Sequence, residues 1–203
     1  QLYEIALTDR LLGEPQAAAA KYAEAEAMRR NMGDPIGVNN ARVGIARAWI
    51  DMDNFDGAEG IGQELLQAAR DQESDRLEAR ALILLGEVDL ARERWTDAIA
   101  HYDEALDIAT RIGDKPIAFS IRANLARAWL EIGNTGAAQP LLDAVVLERP
   151  EHTEVNKLQA RMAWEQGDAA MAAEFMALAR NSAGERWQDE DAARLEEYRA
   201  ALP

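Results

Sequence analysis

The chain has 203 residues, of which 48% are hydrophobic, and its 22 Lys and Arg against 37 Asp and Glu give a formal charge of −15. This hydrophobic content excludes a disordered tail and suffices for a buried core, while the negative charge argues against nucleic acid as a partner, because an acidic surface repels phosphate backbones. The absence of cysteine excludes disulfides and thiolate chemistry.

Helices are predicted along the whole chain, because Ala, Glu, Leu and Arg dominate the sequence and no stretch shows the two-residue alternation of a strand. They fall into pairs separated by short turns. First helices of the pairs are predicted near 1–11, 36–51, 75–91, 116–131 and 153–165. Second helices are predicted near 15–30, 56–70, 96–111, 136–148 and 169–181. A last helix is predicted near 186–201, with Trp187, Leu195, Tyr198 and Leu202 packing back onto the preceding pair.

The turns recur at a fixed period. Turn motifs begin at Gly13, Asp53, Glu93 and Gly133, which are equally spaced along the chain, and a fifth begins at Gly167 after a shorter interval. An alanine follows each turn, and a small residue precedes it by seven positions. These alanines are Ala18, Ala58, Ala98, Ala138 and Ala172, and the small residues are Ala6, Ala46, Gly86, Ala126 and Ala160. Small residues at fixed positions on successive helices allow the two backbones to approach closely where they cross.

This pattern resembles the tetratricopeptide repeat, W-x2-L-G-x2-Y followed by A-x3-F and P. The third copy matches best, with Leu85-Gly86, Trp95-Thr96-Asp97-Ala98-Ile99, Tyr102 and Ala105-Leu106. The resemblance implies an all-α fold, an α-α superhelix in which antiparallel helix pairs form a right-handed solenoid closed by a C-terminal capping helix. The interval between the first four turns exceeds that of the usual motif and is similar to that of long repeats in bacterial signalling and regulatory proteins.

We predict a single solenoid domain over 1–203. Its repeats are predicted at 1–33, 34–73, 74–113, 114–151 and 152–184, with the capping helix at 185–203. Because the sequence opens at Gln1 partway through a repeat, we expect a fragment of a longer chain. No apolar run reaches the length of a membrane span. We expect a cytoplasmic location, or a periplasmic one if an upstream signal has been removed.

The sequence shows no arrangement typical of catalysis. Its two histidines, His101 and His152, have no partner at i+4 that would complete a metal pair, and no phosphate loop or nucleophile elbow is present. The acidic turn from Asp51 to Asp56 fails as a calcium loop, because Phe55 occupies a ligand position and Asp56 the glycine position. We therefore expect no enzymatic activity, no cofactor and no metal site.

Candidate binding residues follow from the resemblance, which implies that the first helices line a concave groove that receives peptides. They are Asn40, Arg47, Arg80, Glu87, Asn124, Arg127, Lys157, Arg161 and Trp164. Basic residues collected on one face of an acidic protein predict docking of an acidic or C-terminal carboxylate segment. The alternative is structural: a ladder of ion pairs running from Arg47 through Glu87 to Arg127.

Two functions remain open at this level. The first is a monomeric scaffold that binds a peptide or partner protein in the groove. The second is the regulatory arm of a bacterial signalling or transcription-regulatory protein, which senses a small ligand or a pheromone-like peptide. An effector domain upstream of Gln1 would favour the second function.

Overall fold

A computed structural model describes residues 1–184 and 187–202, which contain eleven α-helices and no β-strand. The helices are α1 (Leu2–Leu11), α2 (Pro15–Asn31), α3 (Pro35–Ile50), α4 (Phe55–Asp71), α5 (Asp75–Ala91), α6 (Trp95–Arg111), α7 (Lys115–Glu131), α8 (Thr135–Glu148), α9 (Thr153–Glu165), α10 (Ala169–Ala183) and α11 (Asp189–Ala200). The all-α prediction is confirmed. The prediction for 185–203 falls partly on residues 185, 186 and 203, which lie outside the described residues.

The chain divides into two compact units, residues 1–117 and 118–203. In the first unit, α1 to α6 pack as successive antiparallel neighbours. In the second unit, α8 packs on α9, α9 on α10 and α10 on α11. The predicted repeat boundaries and the single domain over 1–203 remain predictions.

The turns share one backbone conformation. Residues with positive φ recur at equal intervals at Gly13, Gly33, Asp53, Glu73, Glu93, Gly113 and Gly133, and Gly167 follows them. The N–H of the next residue donates to the carbonyl five positions back, as from Asn54 to Trp49 and from Arg94 to Asp89, both at 2.8 Å. This bond is the Schellman cap, which satisfies a carbonyl left over at the end of a helix. One helix and its turn therefore form a module of constant length, and two such modules make one period of the repeat.

The residue after each left-handed position serves as the N-cap of the next helix. The side-chain oxygens of Asn54 and Asp168 accept hydrogen bonds from the N–H groups of Gly57 and Met171, at 3.3 and 2.9 Å. Asp34, Asp114 and Asn134 form the same bond with the N–H three positions on. These caps occupy N–H groups that the first turn of a helix leaves without a partner.

The small residues at the helix crossings are buried as predicted. Ala46, Ala58 and Ala98 have no exposed surface. A Cβ atom added at Gly86 would lie 2.6 Å from Cε1 of Tyr102, so the backbone of α5 touches the tyrosine ring directly. Close backbone approach at this crossing is therefore a requirement of the packing.

The last helix, α11, lies where the first helix of a further repeat would be. Its Asp191 and Tyr198 contact Lys157 and Trp164 of α9, which precede them by the same interval. The small residue of the crossing position is replaced by Arg194, which is exposed. Among the described residues, this face of α11 is therefore solvated and carries no second helix, as a capping helix requires.

Candidate partner-binding face

The first-helix face of the first unit is formed by α1, α3 and α5, and α3 packs against both of the others. Arg47 of α3 donates from Nε and Nη2 to the two carboxylate oxygens of Glu87 on α5, both at 2.8 Å. Attraction to Glu87 raises the pKa of Arg47. This bidentate pair is the first rung of the predicted ladder, and it already occupies both oxygens of the glutamate.

Two turns earlier on the same helices lie Asn40 and Arg80. They are separated by the same offset as Arg47 and Glu87, so they occupy equivalent places on α3 and α5. The Oδ1 atom of Asn40 is buried and has no hydrogen-bond partner. Arg80 is half-buried, and burial lowers its pKa. This end of the face thus carries polar groups whose hydrogen-bonding capacity the protein leaves partly unused.

In the second unit, the cations of α9 are held by neighbouring acids. Arg161 donates to Glu131 at 2.7 Å, to Glu165 at 2.8 Å and to the carbonyl of Leu130 at 3.0 Å. Lys157 lies 2.7 Å from Asp191 of α11 and 3.1 Å from Glu154. Burial would lower the pKa of Arg161 and of Lys157, but these acids raise both values.

A cleft of about 440 Å³ lies beside these ion pairs. Its aromatic wall is the pair Trp164 and Tyr198, whose rings stack with centroids 4.8 Å apart and planes at 29°. Its remaining lining is charged and consists of Glu131, Arg161, Glu165, Arg194 and Glu197. The predicted site residue Trp164 therefore packs against the capping helix and at the same time borders an open cleft.

The two predicted residues of α7 have fewer contacts. Asn124 is half-buried, and Arg127 is exposed. Within residues 118–184 and 187–202, no carboxylate forms an ion pair with Arg127. Its guanidinium is available to solvent.

A family model described as the tetratricopeptide repeat matches residues 77–146, which span α5 to α8. This segment carries tetratricopeptide repeats. The match covers the segment with the best agreement to the repeat pattern, including Gly86, Ala98 and Tyr102.

Solved structures with the tetratricopeptide fold extend this likeness over nearly the whole chain. A thermophilic TPR protein from Thermus thermophilus is 15% identical with a TM-score of 0.64, and the alignment covers 99% of this chain and 97% of that one. BtubC from P. vanneervenii is 16% identical with a TM-score of 0.68, covering 91% and 86%. A structure of nearly identical TPR-like repeats from Podosopora anserina is 18% identical with a TM-score of 0.62, covering 91% and 93%. At these identities the likeness shows the fold, and the curated protein sequences include no match.

The tetratricopeptide fold generally mediates protein–protein interaction. In this chain, the structure places Asn40, Arg47, Arg80 and Glu87 on neighbouring helices of the first unit. It places Lys157, Arg161 and Trp164 on one helix of the second, with Asn124 and Arg127 on α7. Their predicted role in docking remains a prediction.

The sequence predicted that Tyr198 packs on the preceding helix pair but not its stacking on Trp164, and it did not predict the ion pairs of Asp191 and Glu131. Asp191 and Tyr198 could have been found from their common offset to Lys157 and Trp164, which repeats the spacing of the last two turns. Glu131, by contrast, lies 30 residues before Arg161, an offset that matches no period in the sequence.

The acidic turn and the histidines have structural roles in this helical array. Asp51 pairs with Arg10 at 3.2 Å, and Asp56 pairs with Arg92. His101 lies 2.7 Å from the buried Asp89, and His152 is the N-cap of α9. Over residues 1–184 and 187–202, no group of three or more acidic or histidine side chains could hold a metal ion. In the same ranges, no helix has the length and apolar character needed to span a membrane.

Proposed function

We propose that this protein is an interaction module whose first helices receive a segment of a partner protein through that segment's carboxylates. The observation that carries the proposal is the placement of cations on first helices: Arg47 and Arg80 in the first unit, and Arg127, Lys157 and Arg161 in the second. The chain as a whole has a charge of −15, so these positions depart from the character of the rest of the surface.

The glutamates that hold Arg47 and Arg161 are compatible with this function. Side-chain exposure of Arg47 is 36% and that of Arg161 is 29%, so both pairs are in reach of solvent. A partner carboxylate can therefore add to such a pair from the solvent side without breaking it.

Site-specific photo-crosslinking in the native cell tests the location of docking. A photoreactive residue at Arg127 of α7 is expected to capture the partner, because this side chain is exposed on a first helix. The matched control is Glu174 of α10, which is also exposed but lies on a second helix of the same unit. Capture from Glu174 and none from Arg127 would place the docking surface elsewhere.

Charge reversal of the captured complex tests the chemistry. Arg127→Glu is expected to weaken association and to flatten its dependence on salt, because exposed charges are screened beyond about 8–10 Å at physiological ionic strength. Arg180→Glu on α10 makes the same change in net charge at another exposed arginine. Equal losses for both variants would show that net charge, and not the first-helix face, governs binding.

A further inference from the structure

Arg80 differs from every other arginine in the part of the chain that the structure describes. It is half-buried, yet its side chain forms no ion pair and no hydrogen bond with any residue of 1–184 or 187–202. The other arginines without an ion pair are exposed: Arg127, Arg149, Arg180 and Arg194. Since a charge removed from water normally requires a counter-charge, Arg80 is the exception to be explained.

The surroundings of Arg80 supply positive charge and no free carboxylate. Burial lowers the pKa of Arg80, and Arg47 and Arg76 lower it further as like charges. The nearby Asp114 is already held by Arg76 at 3.1 Å and by the N–H of Ile117 at 3.2 Å. On the same face, the acid that pairs with Arg47 has both of its oxygens bound. The acids in reach are therefore committed to other donors.

We infer that Arg80 is the carboxylate-binding residue of the first unit, with a guanidinium whose counter-charge is supplied by the partner. This inference rests on the proposed function and deepens it, because it assigns the primary contact to Arg80 and not to Arg47 or Arg161. Those two guanidiniums are saturated by the protein's own glutamates, whereas binding at Arg80 displaces no internal pair. The guanidinium fork suits a carboxylate, which accepts two parallel hydrogen bonds.

A carboxylate can come from the C-terminus of a polypeptide or from an acidic side chain, and three short peptides separate the two sources. The first is acetyl-trialanine with a free C-terminus. The second is acetyl-Ala-Glu-Ala with an amidated C-terminus, and the third is acetyl-trialanine amide, which carries no carboxylate. Each is titrated into the full chain at constant ionic strength, and the arginine Nε–H resonances are followed by NMR.

The resonance of Arg80 is expected to shift saturably with one or both carboxylate peptides and to stay in place with the amide. In Arg80→Gln, affinity for the carboxylate peptides is expected to fall by about tenfold or more, as for loss of a charge-assisted bidentate contact. Arg180→Gln removes an exposed arginine of the second helix α10, outside the proposed binding face, and is the matched control that should bind as the wild type does. The inference is overturned if the amide shifts Arg80 equally, if Arg80→Gln binds carboxylate unchanged, or if Arg47 or Arg161 responds first.

Thermal unfolding provides a second readout that does not need a ligand. Arg80→Gln removes a half-buried charge without a counter-ion, so its melting temperature is expected to equal or exceed that of the wild type. A marked fall would mean that Arg80 has a partner within the fold and would contradict the inference. If Arg80 binds carboxylates while the native partner is captured only from second helices, the proposed function fails and the anion site stands.

Discussion

Two neighbouring helix pairs of the first unit, α3–α4 and α5–α6, fill the same space between their helices with different chemistry. In α3–α4, Trp49 and Ile61 pack against one hydrophobic cluster, and a Cβ atom at Gly57 would lie 2.7 Å from the indole of Trp49. In α5–α6, the equivalent positions hold Asp89 and His101, 2.7 Å apart. An ion pair to this aspartate comes from an arginine of the following turn, Arg94, at 2.5 Å.

The alternation extends beyond these two pairs. The α1–α2 pair has Asp9 and Lys21, which form an ion pair, and the α7–α8 pair has Trp129 and Leu141, which pack on an apolar cluster. The two facing residues thus change together from one helix pair to the next. Where one is an acid the other is a base, and where one is tryptophan the other is aliphatic. The backbone accepts either solution, but a mixed pair would bury a charge beside an aromatic ring without its counter-ion. The same alternation is visible in the sequence, where Ala46-Arg47-Ala48-Trp49 of α3 recurs as Ala126-Arg127-Ala128-Trp129 of α7.

The largest expected effect concerns the crossing of α5 and α6, where a glycine faces a tyrosine ring. The α3–α4 pair has no such contact. Tyr102 fills the space over Gly86, whereas α4 has Gly62 at the tyrosine position. Gly86→Leu forces a side chain into the ring of Tyr102, and we expect a loss of about 3 kcal/mol in the free energy of unfolding, the upper part of the usual cost of overpacking. Urea denaturation of the variant and the wild type measures this difference in the free energy of unfolding.

Gly60 of α4 provides the control for this substitution. A Cβ atom there meets no atom within 4 Å, so Gly60→Ala should stabilise the helix by about 0.5–1 kcal/mol. An unchanged unfolding midpoint for Gly86→Leu would show that the crossing is less tight than the structure indicates.

The next effect tests the ion pair itself. Asp89→Ala leaves Arg94 and His101 without their acceptor, and we expect a loss of about 2 kcal/mol, since both partners keep some access to water. Substituting Asp89→Trp, Asp97→Ala and His101→Leu together copies the residues of α7–α8 and is expected to restore most of that loss. Asp97 is included because a small residue, glycine or alanine, stands at its place beside each tryptophan. A triple variant as unstable as Asp89→Ala would disprove that the two solutions are interchangeable.

The fold was largely predictable because its signals are local. Turn residues at fixed positions and alanines at the crossings specify the helix pairs, and the observed bounds of α3 and α5 lie within a residue of those predicted. The beginning of α11 was predicted less accurately: the helix was predicted from 186, and in the structure it begins at Asp189.

The sequence predicted on which helices the candidate site residues lie, but not which of their guanidinium groups are paired with acids. The repeat register places Arg47, Arg80 and Arg161 on first helices. Whether each guanidinium is satisfied depends on acids from other helices, such as Glu131, whose offset follows from packing within the second unit and not from the period. Arg47 and Arg80 therefore look alike in the sequence, although in the described structure Arg47 is paired with Glu87 and no described carboxylate pairs with Arg80.

A smaller effect concerns pH. The hydrogen bond with Asp89 raises the pKa of His101, and partial burial opposes this; Asp97 and Glu104 act in the raising direction. A raised pKa in the folded state means that the stabilisation is fully present below the unfolded value of about 6.5 and is lost as pH rises through the folded value. Because a third of the side chain is exposed, the change should stay below about 1 kcal/mol.

The α1–α2 pair supplies the control for that pH dependence. His101→Lys copies Lys21 and keeps its charge to about pH 10. Its stability should therefore exceed that of the wild type increasingly as pH rises from about 6.5 to 8.5, as measured by thermal unfolding in matched buffers. Parallel pH profiles for the two proteins would mean that His101 does not carry the dependence.

The smallest effect concerns a feature that the two helix pairs share. Their turns hold non-glycine residues in the left-handed region, Asp53 at φ 58° and Glu93 at φ 59°, whereas the turn after α6 has Gly113 at φ 69°. The left-handed conformation costs an ordinary residue about 1–2 kcal/mol, and glycine loses about 0.5–1 kcal/mol more backbone entropy on folding. Glu93→Gly should therefore stabilise by only about 0.5 kcal/mol, and Gly113→Ala should destabilise by a similar amount. Chemical denaturation of the two variants checks the signs. If Glu93→Gly is instead destabilising, the side chain of Glu93 makes a contact that offsets its backbone strain, and the turns of the array would differ in more than glycine content.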